Sequence, residues 1–168
     1  MSVPSDRVAV MGAGTSALVL ELVAHGYLHI EAVDHSQVAF AQLRALLGDA
    51  SDAVRFTCAD LRSVKFQKPV HVWHDRATFH FLTLPTDQVL YAARAAAGVA
   101  PGGHLVMATF AKTGPRYCSG LPVARHSTSS LASVFADGFE LIEAFERQHL
   151  TPWNAPQSFT HALLRRKS

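Results

Sequence analysis

The sequence predicts a single α/β domain built on a largely parallel sheet. Three observations carry that expectation. The chain has 168 residues, 49% of them apolar, enough for one core and not for two. From Arg7 onward, short β-branched runs alternate with longer amphipathic ones, the pattern of strands joined by crossover helices. The run Gly12-Ala13-Gly14-Thr15-Ser16-Ala17 falls directly between the first strand and the first helix of that alternation.

The elements follow in order. Residues 8–11 form strand one, and residues 16–25 a helix that Ser16 caps, with Leu18, Leu22 and Val23 on one stripe and Gly26 as its stop. Strand two covers 29–33 and ends at Asp34. Ser36 then caps a helix in which Ala39, Leu43, Leu46 and Leu47 recur at helical spacing until Gly48. Residues 54–58 and 70–73 read as strands three and four, 86–97 as a helix, Pro101-Gly102-Gly103 as a turn, and 104–109 as strand five. A segment rich in Gly, Pro, Ser and Arg then runs to about Ser127, and a loop of that length in a compact domain is usually functional. A helix over 128–136 follows. Two extended runs, 139–147 and 158–166, joined by Leu150-Thr151-Pro152-Trp153-Asn154, predict an antiparallel pair at one sheet edge.

Composition removes several function classes. The net charge of +2 comes from 15 basic and 13 acidic residues scattered along the chain, with no Lys/Arg stripe for a phosphate backbone, so nucleic acid is not the expected partner. No apolar run approaches the roughly 20 residues of a membrane span, because His, Asp, Arg or Gln interrupts each. Nothing before Arg7 reads as a secretory leader, and Cys58 and Cys118 stand far apart, so a reducing cytoplasm is the expected setting.

The chemistry is carried by the glycine turn and by Asp34. Gly12-Ala13-Gly14-Thr15-Ser16-Ala17 satisfies G-x-G-x-x-G/A, in which glycines permit a tight turn and close approach of a ligand to backbone N–H groups. Asp34 lies 20 residues beyond Gly14, where a carboxylate at the end of strand two accepts both hydroxyls of a ribose. This pair fits a nicotinamide dinucleotide as well as S-adenosylmethionine, because both present an adenosine ribose to the same crevice. Only about 60 residues follow strand five, most of them committed to a helix and a strand pair, which leaves little structure to hold a substrate against a nicotinamide. Asp60-Leu61, just after strand three, would set a carboxylate at the adenine amino group and an apolar neighbour against its ring.

The run Val72-Trp73-His74-Asp75-Arg76-Ala77-Thr78-Phe79-His80-Phe81-Leu82 resembles the segment after strand four in small bacterial class I methyltransferases that depend on S-adenosylmethionine. The resemblance continues in Pro101-Gly102-Gly103-His104, in Gly114-Pro115 and Cys118-Ser119-Gly120-Leu121-Pro122-Val123, and in His149-Leu150-Thr151-Pro152-Trp153 with Gln157 and Phe159. It implies a Rossmann-like class I fold of seven strands in the order 3-2-1-4-5-7-6. The methyl donor would lie over strands one to three and the acceptor over strands four and five. It also implies donor contacts from His74-Asp75-Arg76, so the expected donor set is Gly12, Ala13, Gly14, Asp34, His35, Asp60, Leu61, His74, Asp75 and Arg76. Asp75, Trp73 or Phe79 would suit a sulfonium through charge or cation-π contact, although Trp73 reads better as core.

Two features depart from the family pattern. Only Met1 to Asp6 precede the first strand, where members carry a helical lid, so the expected pocket is covered by a second copy in a homodimer, or open with weak donor affinity, or completed by a segment upstream of these residues. His71 stands where an acidic residue is expected near the start of strand four.

The implied reaction is in-line displacement of the donor methyl by a small-molecule acceptor, leaving S-adenosylhomocysteine. His80 or His126 is the candidate base for the acceptor proton. Lys112, Arg116, Arg125 and His126 in the long loop suggest an anionic acceptor. No metal is expected, since His74, His80 and Cys118 lack ligand spacing. The competing readings are a domain that binds the donor or its product without turnover, and a dinucleotide-binding module.

Overall fold

A computed structural model of the chain describes residues 2–151 and 154–168. Strands β1 (Val8–Met11), β2 (Ile30–Asp34), β3 (Val54–Cys58), β4 (Val70–Arg76) and β5 (Val99–Phe110) alternate with helices α1 (Ala17–Ala24), α2 (Gln37–Leu47) and α3 (Pro85–Gly98). A small hairpin, β6 (Tyr117–Cys118) and β7 (Leu121–Pro122), precedes α4 (Thr128–Phe135), β8 (Phe139–Leu150) and β9 (Pro156–Arg166). Seven strands form one sheet in the order β3-β2-β1-β4-β5-β9-β8. Pairing is parallel from β3 through β5 and antiparallel for β5 with β9 and β9 with β8. The mixed seven-stranded α/β sheet and its antiparallel C-terminal pair are as expected from the sequence.

Serine hydroxyls start three of the helices. Ser16 accepts from the Leu18 N–H, Ser36 from the Ala39 N–H, and Ser127 forms a reciprocal capping box with Ser130. Pro85 opens α3, where its missing N–H leaves no helical bond unmade. β1 and β2 are buried along their whole length because helices cover both faces of the sheet there. On one face α3 and α4 pack Tyr91, Leu131 and Phe135 over Met11, Trp73, Leu105 and Met107. On the other, α1 and α2 bring Val19, Phe40 and Leu43 to Val8, Val10, Ile30 and Ala32.

Several boundaries differ from expectation for tertiary reasons. β4 continues past Trp73 through His74, Asp75 and Arg76, because these polar residues pair with Val106, Met107 and Ala108 of β5. Pro101-Gly102-Gly103 lies within the irregular start of β5 instead of forming a separate turn. The register shifts between Val70 and Val72, and a Cβ on Gly103 would stand 2.8 Å from the His71 carbonyl oxygen. The long loop contains the β6–β7 hairpin, whose turn residues Ser119 and Gly120 both have positive φ, 50° and 78°. Of the expected connection between the last two strands, Pro152 and Trp153 lie outside the described residues. No described helix is long and apolar enough to cross a membrane.

Candidate functional site

The carboxyl ends of β1, β2 and β4 converge on the glycine turn. Gly12 and Gly14 both occupy the left-handed region, with φ of 62° and 50°. The Ala13 N–H donates to the Val33 carbonyl at 2.9 Å, which holds the turn against β2. The Gly14 N–H donates to Asp34 Oδ2 at 2.8 Å, and the Ser36 N–H donates to Asp34 Oδ1 at 2.8 Å. Asp34 therefore ties the turn after β1 to the start of α2, and its remaining lone pairs face a cleft. That cleft, about 470 Å³, is bounded by Gly12, Asp34 and His35 on one side and Ala59, Asp60 and Leu61 on another. The segment after β4 closes it with Ala77, Thr78, Phe81 and Leu82.

The Gly12 position admits no side chain. A Cβ there would lie 2.0 Å from Thr78 Oγ1, and that hydroxyl donates to the Met11 carbonyl at 3.3 Å. Ala77 makes this approach by turning the chain in the left-handed region, φ 62°, while its N–H donates to the Ala108 carbonyl at 2.8 Å. A non-glycine residue in that region is uncommon, and here it sits at the cleft wall.

A charged cluster lines part of the cleft. Arg62 binds Asp60 through Nη2 at 2.6 Å and Nε at 2.9 Å, and reaches Asp87 in the first turn of α3 at 3.3 Å. The Arg62 side chain, followed by its backbone N–H, holds the Asp60 carboxyl down at about 2. Asp60 thus stays ionised and meets the cleft already paired to Arg62. His35 is almost wholly exposed, its Nδ1 3.5 Å from Asp34 Oδ1.

His74 and Arg76 lie around a second depression of about 430 Å³, at the N-terminus of α1, with Gly12, Ala13, Gly14 and Ser16. Arg76 extends a guanidinium 5.4 Å above the Phe159 ring. Burial, then the Arg76 charge, lowers the His74 imidazole below its ordinary range, and its Nδ1 has no partner among the described residues. Gly12 belongs to both depressions, so they are neighbouring parts of one crevice along the sheet's carboxyl edge.

Asp75 corrects an expectation. It is fully buried and points into the core: Oδ1 accepts from the Thr78 and Phe79 N–H groups at 3.2 and 3.0 Å, and Oδ2 from the Tyr91 hydroxyl at 2.5 Å. Trp73 Nε1 donates to the same hydroxyl at 3.0 Å. Burial pushes the Asp75 carboxyl up to about 6, against the opposing effect of these hydrogen bonds. Asp75 organises the turn that carries Thr78 and Phe81 to the cleft and does not itself face a ligand. Trp73 and Phe79, 1% and 0% exposed, are core, so no aromatic face is offered to a sulfonium by either.

The two candidate bases are likewise enclosed. His80 stacks on Phe110 with ring centroids 4.6 Å apart, neither of its buried ring nitrogens has a partner among the described residues, and burial pulls it down to about 4. His126 packs 5.4 Å from Phe79, and burial followed by the Lys112 charge lowers it. Neither borders either depression, and both rings are buried, which is less accessible than a base acting on an acceptor is expected to be. In the long loop, Arg125 is spent on the Lys112 and Gly114 carbonyls at 2.6 and 3.3 Å, while Lys112 and Arg116 are exposed.

Sequence reasoning assigned no role to Thr78, Phe81, Leu82, Arg62 or Asp87. The first three stand inside the run that continues from β4, where the sequence carries a motif but no sign of which side chains turn to the cleft. Asp87 becomes a cleft residue only because α3 docks beside the segment after β3. Among the described residues no cluster of three or more metal-ligating side chains occurs.

No family model matches the sequence, and no curated protein matches it. Among solved structures, the chain carries the fold of S-adenosylmethionine-dependent methyltransferases. A methyltransferase of that class from Methanosarcina mazei superposes with a TM-score of 0.82 over 99% of this chain and 94% of its own, at 14% identity. One from Mesorhizobium loti gives 0.80 over 99% and 93%, at 15% identity. The 1,6-didemethyltoxoflavin N1-methyltransferase of Burkholderia thailandensis, solved with 1,6-didemethyltoxoflavin and S-adenosylhomocysteine, gives 0.78 over 98% and 72%, at 19% identity. The likeness is one of fold.

Proposed function

We propose that this chain binds S-adenosylmethionine in the crevice between the glycine turn and Asp34 and transfers its methyl group to a small-molecule acceptor. The observation that carries the reading is the direct bond from the Gly14 N–H to Asp34, at the head of a 470 Å³ cleft on the carboxyl edge of β1 and β2. That edge is where open α/β sheets bind ligands. Gly12 and Gly14 both hold left-handed backbone, φ 62° and 50°, which fits a tight glycine turn of the kind whose backbone N–H groups approach a ligand.

In this reading Asp34 accepts the ribose hydroxyls with the lone pairs left after Gly14 and Ser36. Asp60 and Leu61 meet the adenine, and Arg76, beside the N-terminus of α1, attracts the donor's carboxylate. Bound S-adenosylmethionine supplies an electrophilic methyl on a sulfonium. The chain's part is to hold the two reactants in line, an arrangement worth about 7–11 kcal/mol in effective concentration. The exposed Lys112 and Arg116 favour an acceptor of negative charge approaching past the long loop.

A second reading, binding without turnover, is favoured by one observation: His80 and His126 are both closed off from the crevice. Calorimetric titration with S-adenosylmethionine, S-adenosylhomocysteine and a nicotinamide dinucleotide tests the ligand. Binding of the dinucleotide alone would overturn the proposal. Transfer of a labelled methyl to a panel of small carboxylates and phosphates then separates the enzyme from the binding domain.

A further inference from the structure

β8 is the free edge of the sheet and is 12 residues long, against five for β3 at the opposite edge. After Phe139 none of its side chains is buried, and four large apolar ones stand well exposed: Leu141 at 48%, Ile142 at 51%, Phe145 at 44% and Leu150 at 57%. A long edge with large apolar side chains exposed along it is a template for further pairing, and monomeric proteins blunt such edges. Two blunting devices are present, the irregularity between Leu141 and Glu143 and the charges of Glu140, Glu143, Glu146 and Arg147, but from Glu143 to Leu150 the register with β9 is unbroken.

The charges on that regular stretch are self-complementary. Glu143, Phe145 and Arg147 alternate onto one face, opposite Leu163, His161 and Phe159 of β9. Neither Glu143 nor Arg147 has an ion-pair partner among the described residues. An antiparallel β8–β8 junction about a two-fold axis perpendicular to the sheet opposes each strand to its own reverse. Centred on Glu143, Glu146 or Arg147, it sets identical charges face to face, which is destabilising. Centred on Ala144, it sets Glu143 against Phe145 and matches no charges. Centred on Phe145, it sets each Glu143 against Arg147 of the second copy, with the two Phe145 rings between the ion pairs. Phe145 already lies flat on His161, centroids 4.9 Å apart and planes 11° apart, which holds its ring up on that face.

We infer that two copies of this chain associate through antiparallel pairing of β8 centred on Phe145, joining their sheets into one. The inference is independent of the proposed ligand. It places the junction at the edge farthest from β1, β2 and β3, so the crevice stays open and is not roofed by the second copy.

Sedimentation velocity over a range of concentrations tests it with wild type, Glu143→Arg, Arg147→Glu and the double exchange. The wild type is expected to sediment at twice the chain mass. Either single reversal opposes like charges twice in the symmetric junction and should weaken association about tenfold or more. The double exchange restores both pairs and the dimer, and because it carries both substitutions it also excludes misfolding as the cause of the single-variant effects. A wild type that stays monomeric at every concentration overturns the inference. So does a dimer indifferent to the single reversals, or one that the double exchange fails to restore.

Discussion

Asp34 Oδ2 accepts the Gly14 backbone N–H at 2.8 Å, so the acid that ends β2 and the glycine turn that follows β1 form one unit. Its other oxygen holds the Ser36 N–H, and through it the start of α2. Replacement of Asp34 by Ala therefore has two effects. Binding of S-adenosylmethionine should weaken by roughly 1.5–3 kcal/mol, the range for hydrogen bonds to a charged group, as read by calorimetry. Two backbone N–H groups also lose their acceptor, so the melting temperature should fall. Asp34→Asn, which keeps one acceptor oxygen, should lie between. Unchanged affinity in Asp34→Ala would remove the ribose role.

Gly12→Ala tests the contact between the turn and Thr78. The left-handed backbone adds about 1–3 kcal/mol for a residue with a side chain, before the overlap with Thr78 Oγ1 and Cγ2 is counted. Thr78→Ala removes those two atoms and should recover part of the loss. A double-mutant cycle by denaturant unfolding measures the coupling, and additive effects would show that the two residues do not meet as described.

Asp75 and His80 give opposing pH dependences. Burial raises the Asp75 carboxyl from 3.8 to about 6, so the folded state binds its proton more tightly and stability falls as pH rises from about 4 to 6. Burial lowers His80 from 6.5 to about 4, so the folded state resists protonation and stability falls as pH drops through the same window. Each effect is on the order of 3 kcal/mol at most, and they largely cancel. Asp75→Asn should expose the histidine slope, to which His74 and His126 add in the same direction, making the variant lose stability on acidification faster than wild type. Urea unfolding between pH 4 and 7 reads this directly, and parallel curves for the two proteins would contradict it.

His80→Phe removes two buried nitrogens that have no partner among the described residues, while keeping a ring against Phe110. We expect a gain of about 1–2 kcal/mol in unfolding free energy and unchanged donor binding. Methyl transfer, once an acceptor is found, should survive the change. Loss of transfer with binding intact would return His80 to the role of base.

The elements most legible in the sequence were those whose signals are local. Ser16 and Ser36 cap the helices they were expected to cap, and Gly48 ends α2, because cap chemistry depends on a few adjacent residues. The β-branched and aromatic run from Val54 to Cys58 has the same bounds in sequence and structure. In the sequence β4 ends at Trp73, because His74-Asp75-Arg76 reads as a polar strand end, yet β5 supplies partners for all three. The hairpin around Ser119-Gly120 is not legible in the sequence, because a two-residue turn between two-residue strands leaves no periodicity to detect.

By itself, the chain's local order determined an α/β alternation, the glycine turn and an acidic residue at the right distance from it, because strand, helix and turn preferences act over a few residues. Only the tertiary structure decided which polar groups face the crevice. Asp34 and Asp75 are both carboxylates at strand ends, and nothing in their neighbours along the chain separates them. Docking of α3 brings Tyr91 onto Asp75 and encloses it, whereas the cleft beside Asp34 stays open. The same long-range packing closes His80 beneath Phe110 and leaves β8 as an unpaired edge, since burial and pairing are set by elements distant in sequence.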